Sequence, residues 1–277
     1  MTKQQATIPP RRIRLAVAGA SGRMGQRVVA LAAENAQFEL VCALTEETDP
    51  RVGQPLVPPI AGGHPAAGVI LKTRREKPCD VLIDFSSPSG TLTHLADCVG
   101  DGAAIVIGTT GHDAAALGAI GEAARSIAVL RASNFSLGVN LLISLVEQTA
   151  AALGPEFDIE IVEAHHRRKV DAPSGTALSL VEAAARGRGV SREGRVVTGR
   201  EGAAGPRPAG QIGVHAVRMG DVVGEHDVHF GGPGETLTLR HSALSRDTFA
   251  SGALRAAAWV AGRPAGQYSM AQVLGLK

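Results

Sequence analysis

Two short stretches carry residue types whose spacing could do chemistry. The first is Glu163-Ala164-His165-His166-Arg167-Arg168-Lys169, with two imidazoles and three cations in five consecutive positions. Imidazoles exchange protons near neutrality, and a lysine a few residues away adds a positively charged proton donor. Pro173-Ser174-Gly175-Thr176 follows closely and reads as the start of a helix, whose free N–H groups attract an anion. A charge run alone is usually a solvated face. Placed beside a helix N-terminus, this one points to a pocket for a carboxylate or phosphate.

The second stretch is Gly19-Ala20-Ser21-Gly22-Arg23-Met24-Gly25. Its G-x-x-G-x-x-G spacing departs by one position from the dinucleotide fingerprint, with Ser21 where the middle glycine belongs. Such a turn lets backbone N–H groups approach a pyrophosphate at a helix N-terminus. An acid is then expected about 20 residues on for the ribose hydroxyls. Glu46 stands there and would repel a 2′-phosphate, which favours NADH over NADPH; Arg23 and Arg51 are the cations that could instead reach such a phosphate.

The elements that must hold these stretches follow from periodicity. Residues 13–18 and 38–44 read as strands flanking a helix over 24–34, a βαβ unit. The alternation resumes with strands at 81–85, 103–107 and 128–131 and helices at 90–99 and 114–125. Phe85-Ser86-Ser87-Pro88 and Gly108-Thr109-Thr110 follow two of these strands at their carboxyl ends, the edge where ligands lie in an open parallel sheet. After about Ser136 the character changes. A helix over 138–153, a strand over 157–164 and a helix over 173–185 precede three consecutive strands at 212–219, 222–230 and 235–241. Strands without intervening helices mean a mixed or antiparallel sheet. Helices over 247–261 and 270–274 end the chain. The expected fold class is α/β, a Rossmann-like doubly wound parallel sheet with a second α+β domain. The expected domains are a flexible leader 1–12, a dinucleotide-binding domain 13–136 plus 246–277, and a substrate and assembly domain 137–245. Residues 49–68 and 187–210 read as loops.

Composition excludes more than it names. The chain has 277 residues and a net charge of +2, which gives no electrostatic case for nucleic acid or an anionic membrane. Aromatics at 3% leave few rings for stacking on single-stranded nucleic acid. Six arginines against two glutamates over 186–207 hint at nucleic acid, but without aromatics or a binding fold a solvated or inter-subunit loop is the expectation. No uncharged stretch is long enough to span a bilayer. Cys42, Cys79 and Cys98 are odd in number and lack Cys-x-x-Cys spacing, so they read as reduced core residues of a cytoplasmic protein. His226 and His229 lie three apart on an expected strand and so face opposite sides, which argues against a metal site.

The string from His165 through Lys169, Val170, Asp171, Ala172 and Pro173 to Thr176 resembles the signature of the 4-hydroxy-tetrahydrodipicolinate reductase (dihydrodipicolinate reductase) family of bacterial lysine biosynthesis. The resemblance extends to Gly19–Gly25, Ile83–Ser86, Val106–Gly111, Ser133–Asn140 and Arg218–His226. It covers nearly the whole chain. The resemblance implies reduction of a cyclic imine dicarboxylate by NADH or NADPH, with hydride addition followed by protonation. By match to the motif, His165 would be proton donor and acceptor and Lys169 proton donor, while His166, Gly175 and Thr176 would bind substrate carboxylates. Gly19, Ala20, Ser21, Gly22, Arg23, Met24, Gly108, Thr109, Thr110, Ala132, Ser133, Asn134 and Phe135 would bind the cofactor. A homotetramer formed through the second sheet is also implied. Two departures, Thr45-Glu46 in place of an acid-Arg pair and Ser86-Ser87 without a following Arg, remove positive charge on the adenosine side and favour NADH.

Overall fold

The computed structural model describes residues 11–56 and 69–276. Residues 1–10 of the expected leader and 57–68 of the expected loop lie outside them. Contacts divide the described chain into two compact units, one running to Arg131 and including Ala253–Tyr268, the other comprising Ala132–Gly252 and the segment from Ser269.

The first unit is built on a seven-stranded sheet. Its strands are β1 (Ile13–Ala18), β2 (Phe38–Leu44), β3 (Leu71–Lys72), β4 (Val81–Asp84), β5 (Ala104–Ile107), β6 (Ala128–Arg131) and β12 (Gly266–Tyr268), in the order β12-β6-β5-β4-β1-β2-β3. Every pairing is parallel. β4 and β5 are buried along their whole length, as strands covered on both faces must be. Helices α1 (Arg23–Glu34), α2 (Pro88–Asp101) and α3 (Ala114–Ala123) connect them. Leu82, Ile105, Ile107 and Val129 of the sheet pack with Leu95, Cys98 and Ile120 of α2 and α3. The strand order reverses beside β1, whose neighbours are β2 on one side and β4 on the other, and ligands bind at such a point.

The second unit holds a five-stranded mixed sheet in the order β11-β10-β7-β9-β8. Its strands are β7 (Asp158–His165), β8 (Val196–Val197), β9 (Ile212–Arg218), β10 (Gly224–Gly232) and β11 (Glu235–Ala243). β10 is antiparallel to both its neighbours, whereas β7, β9 and β8 run parallel. Helices α4 (Leu137–Leu153) and α5 (Gly175–Gly187) bury Leu142, Val146, Leu180 and Val181 against Ile159, Ile161, Val228 and Phe230. Strand alternation puts Glu160, His215, Asp227 and His229 on the opposite face.

Several expectations need correction. Arg11 and Arg12, expected at the end of a flexible leader, are tied down: Arg11 pairs with Asp80, and Arg12 donates to the Phe38 carbonyl. The C-terminal segment does not belong wholly with the dinucleotide unit. α6 (Asp247–Val260) begins in the second unit and ends in the first, while α7 (Met270–Leu274) packs on α4. The arginine-rich stretch over 187–210 contains β8 and is anchored, with Arg200 and Arg207 donating to Glu160. Burial pushes the Glu160 carboxyl up, but bonds from Arg200, His215 and Arg207 outweigh it and bring it to about 2. The three cysteines are free and buried. No described helix is long and apolar enough to cross a membrane.

Candidate active site

In the first unit the glycine turn is a product of steric necessity. Gly19 has φ +69°, and a Cβ there would lie 2.2 Å from the Phe85 carbonyl oxygen. Only glycine tolerates both conditions. A Cβ on Gly25 would lie 2.1 Å from the Gly19 oxygen, so the first turn of α1 folds directly onto the loop. Gly22 caps α1 with no side-chain hydrogen bond, and no acid occupies the first turn. The helix therefore presents its N–H groups and positive dipole end uncapped. A cleft of about 370 Å³ opens here, lined by Gly19, Ser21, Gly22, Glu46, Phe85 and Ser86 among others. These features fit a dinucleotide.

The sequence-expected cofactor residues do not all share this cleft. Ala20 is buried and donates to the Leu44 carbonyl, and Arg23 and Met24 begin α1 with Arg23 exposed. Gly108 gives room to the Phe85 ring, which a Cβ would meet at 2.2 Å. Thr109 is buried and Thr110 exposed, both after β5 and outside the cleft lining. Ala132, Ser133, Asn134 and Phe135 belong to the second unit. A feature that sequence reasoning missed adjoins the turn. Ser21 Oγ lies 2.7 Å from Thr45 Oγ1, which donates to the buried Asp49. Asp49 also accepts from the Arg51 backbone and from its Nε and a terminal nitrogen, each at 2.9 Å. Arg51 and Ser21 hold the Asp49 carboxyl well below the usual range.

In the second unit, the period of a strand puts Glu163 and His165 on one face of β7. Their bond is short, 2.6 Å from His165 Nδ1 to Glu163 Oε2. Glu163 is fully buried. Its remaining capacity is filled by the two terminal nitrogens of Arg218, both at 2.8 Å, and by the Ser174 N–H at 3.1 Å. Arg218 sits opposite His165 in the β7–β9 register. Burial pushes the Glu163 carboxyl up, but Arg218, His165 and the Ser174 N–H together hold it below its ordinary value. Burial also lowers His165, against the opposing pull of Glu163. Nδ1–H therefore donates to a carboxylate, leaving Nε2 as the proton acceptor at neutral pH. That nitrogen lies over Gly224, where a Cβ would approach it to 3.1 Å.

Buried His226 packs edge-on to His165 and contacts Ser174 Oγ at 3.2 Å. Burial drives its imidazole down to about 4. Across the strand, His229 bonds to Thr238 instead. Ser174 caps α5 by accepting from the Ala177 N–H. Next to it, Gly175 has nothing within 4 Å of where a Cβ would stand, so packing does not require a glycine there. Thr176 accepts from Asn134 at 3.0 Å. Lys169 holds both Asp171 oxygens at 2.8 Å, and His166 Nδ1 is buried without a partner among the described residues. Arg168 pairs with Asp221 on the surface. Sequence reasoning assigned no role to Glu163, Arg218, Ser174 or His226. The i, i+2 spacing of Glu163 and His165 on a strand was the available signal.

The arrangement holds one imidazole in a fixed tautomer beside a lysine and an open helix N-terminus. Comparison with known proteins identifies the family. The N-terminal and C-terminal profiles of dihydrodipicolinate reductase match residues 13–135 and 138–274. The 4-hydroxy-tetrahydrodipicolinate reductase of Thiobacillus denitrificans is 48% identical over 271 residues, covering 96% of this chain and 99% of that protein. The enzyme of the same name from Ruegeria pomeroyi is 46% identical over 264 residues, covering 95% and 98%. A solved dihydrodipicolinate reductase from Paenisporosarcina sp. TG-14, with dipicolinate bound, superposes with a TM-score of 0.74 at 29% identity, covering 94% of this chain and 98% of that one. This chain, an oxidoreductase, belongs to the dihydrodipicolinate reductase family.

Proposed function

We propose that the protein reduces 4-hydroxy-tetrahydrodipicolinate to tetrahydrodipicolinate in the diaminopimelate route to lysine; the substrate's hydroxyl leaves as water, and the resulting conjugated ring takes up one hydride and one proton. The observation that carries this reading is the His165–Glu163–Arg218 network standing beside Lys169 and the open Gly175–Thr176 end of α5. The Thiobacillus and Ruegeria relatives carry that substrate's name, and the solved relative binds dipicolinate, a cyclic dicarboxylate.

A bound nicotinamide supplies the hydride, and the cleft lined by Gly19, Ser21, Gly22 and Glu46 is assigned to hold the dinucleotide. The chain's own residues manage charge and protons. The N–H groups of Gly175 and Thr176, with the Thr176 hydroxyl and His166, bind substrate carboxylates. Lys169 leaves Asp171 to face the substrate, where its charge stabilises electron density arriving with the hydride. Its ammonium delivers a proton to the reduced, electron-rich ring. His165 exchanges protons through Nε2, while Glu163 fixes the tautomer by holding Nδ1–H. Arg218 keeps Glu163 ionised, so Glu163 orients the ring rather than taking its proton. Gly108–Thr110 and Ala132–Phe135 are proposed as further cofactor contacts by family match.

Of the two dinucleotides we favour NADH, because exposed Glu46 ends the second strand where a 2′-phosphate would come. We assign a homotetramer, formed through the face of the mixed sheet that α4 and α5 leave uncovered, and a cytoplasmic setting. Supplying the product of an aldolase-type synthase with NADH tests the function. Loss of nicotinamide absorbance is expected, and none with either dinucleotide would refute it.

A further inference from the structure

The residue that breaks the dinucleotide fingerprint, Ser21, is also the one that joins the glycine turn to the loop after β2. Its hydroxyl meets Thr45, Thr45 donates to Asp49, and Arg51 returns to the Ser21 carbonyl at 3.2 Å. Asp49 is buried and accepts four bonds, three of them from Arg51. Arg51 is about half exposed, 46% by side chain, and touches the turn that lines the cleft. It is therefore a cation at the ribose end whose charge is already matched. A guanidinium is the side chain best suited to a phosphate. What decides whether it serves one is whether another anion holds it.

We propose that Asp49 is a coenzyme-specificity residue, which holds Arg51 in a closed pair against the glycine turn and so denies a 2′-phosphate its cation. The inference rests on the reading of this cleft as a nicotinamide dinucleotide site and deepens it. Glu46 supplies repulsion at the end of β2, and Asp49 removes the compensating attraction. The two act in the same direction through different physics. A dinucleotide without the 2′-phosphate asks nothing of Arg51 and needs only the ribose-facing acid, the uncapped α1 N-terminus and the turn. The Ser21–Thr45 contact ties the position of the pair to the turn itself.

The test is direct titration of the purified chain with NADH and with NADPH, read by nicotinamide fluorescence without substrate. The unaltered protein is expected to bind NADH more tightly. Arg51→Gln should leave NADPH affinity within about twofold, because the guanidinium is already occupied. Asp49→Asn should strengthen NADPH binding by about tenfold, the scale of one charge-assisted contact, and Asp49→Asn combined with Arg51→Gln should erase that gain. Weaker NADPH binding in Arg51→Gln would overturn the proposal, since it would show Arg51 already serving the phosphate. An unchanged preference in Asp49→Asn, or a gain that survives in the double variant, would overturn it as well. Failure of the unaltered protein to bind either dinucleotide would instead refute the cofactor reading beneath it. Arg51→Gln changes a half-exposed side chain, so a loss of NADPH affinity there overturns the proposal even where Asp49→Asn does not fold.

Discussion

The two units build their sites from opposite materials. The cleft of the first is made of backbone: a glycine turn at φ +69°, an uncapped helix end, and close approaches that no Cβ would permit. The site of the second is made of side chains, a buried carboxylate held by a guanidinium and two neighbouring rings. A backbone site can hold the phosphates of a fixed, multiply charged ligand without moving a proton, and leaves its few charged side chains, Glu46 and the Asp49–Arg51 pair, to select among such ligands. A side-chain site can move protons, but it must hold charge in a buried place and hold it in balance. The chain's 34 glycines and its net charge of +2 average over this division.

Breaking the side-chain site should cost most. Glu163→Gln leaves Arg218 without its buried partner and frees the tautomer of His165. About 3 kcal/mol of stability should be lost, with kcat falling further than the remaining folded fraction explains. Chemical denaturation beside turnover separates the two, and a variant with unchanged stability and kcat would show that Glu163 positions nothing. Gly19→Ala comes next, because its methyl meets the Phe85 carbonyl in a left-handed backbone. A loss of about 1–3 kcal/mol should accompany failure to bind dinucleotide, measured by thermal unfolding and fluorescence titration. Ordinary affinity in that variant would mean the turn is not the site.

The comparison also predicts how the second unit responds to pH. His226 titrates at about 4 when folded, against about 6.5 for an unfolded histidine. Between these values the unfolded chain binds the proton that the folded chain refuses, so stability falls as pH drops through the window. Each unit is worth about 1.4 kcal/mol, giving up to about 3 kcal/mol in all. His226→Gln should flatten this slope while leaving the share due to His165 and His241, whose imidazoles burial also lowers. A slope equally steep in the variant would contradict the assignment. The smallest stability effect belongs to Gly175→Ala. Its methyl meets nothing, so stability should shift by less than about 1 kcal/mol, while KM for the dicarboxylate rises. A change in stability without a change in KM would place Gly175 in the packing rather than the site.

Most long elements were legible because buried faces leave a period. Continuous apolar runs marked β4 and β5, and alternation marked β7. β3, β8 and β12 were not legible: two or three residues carry no period, and each is an edge strand defined by a neighbour far along the chain. The same limit divides the site. His165, Lys169, Gly175 and Thr176 lie within one motif, and Glu163 could have been paired with His165 by strand spacing alone. Arg218 comes from another strand 55 residues away, and His226 reaches Glu163 only through the β7–β10 register. Such neighbours exist only once the sheet has formed. The Asp49–Arg51 pair is local, yet two charges two residues apart in a loop look like any solvated pair until burial is known.

The most direct test of the account measures kcat for His165→Ala and Lys169→Ala with substrate and NADH saturating, beside dinucleotide and dipicolinate binding to each. The account predicts a loss of about 10²–10⁴-fold in kcat with both ligands still bound, because proton delivery is lost while the two sites remain. Full turnover in both variants would contradict it.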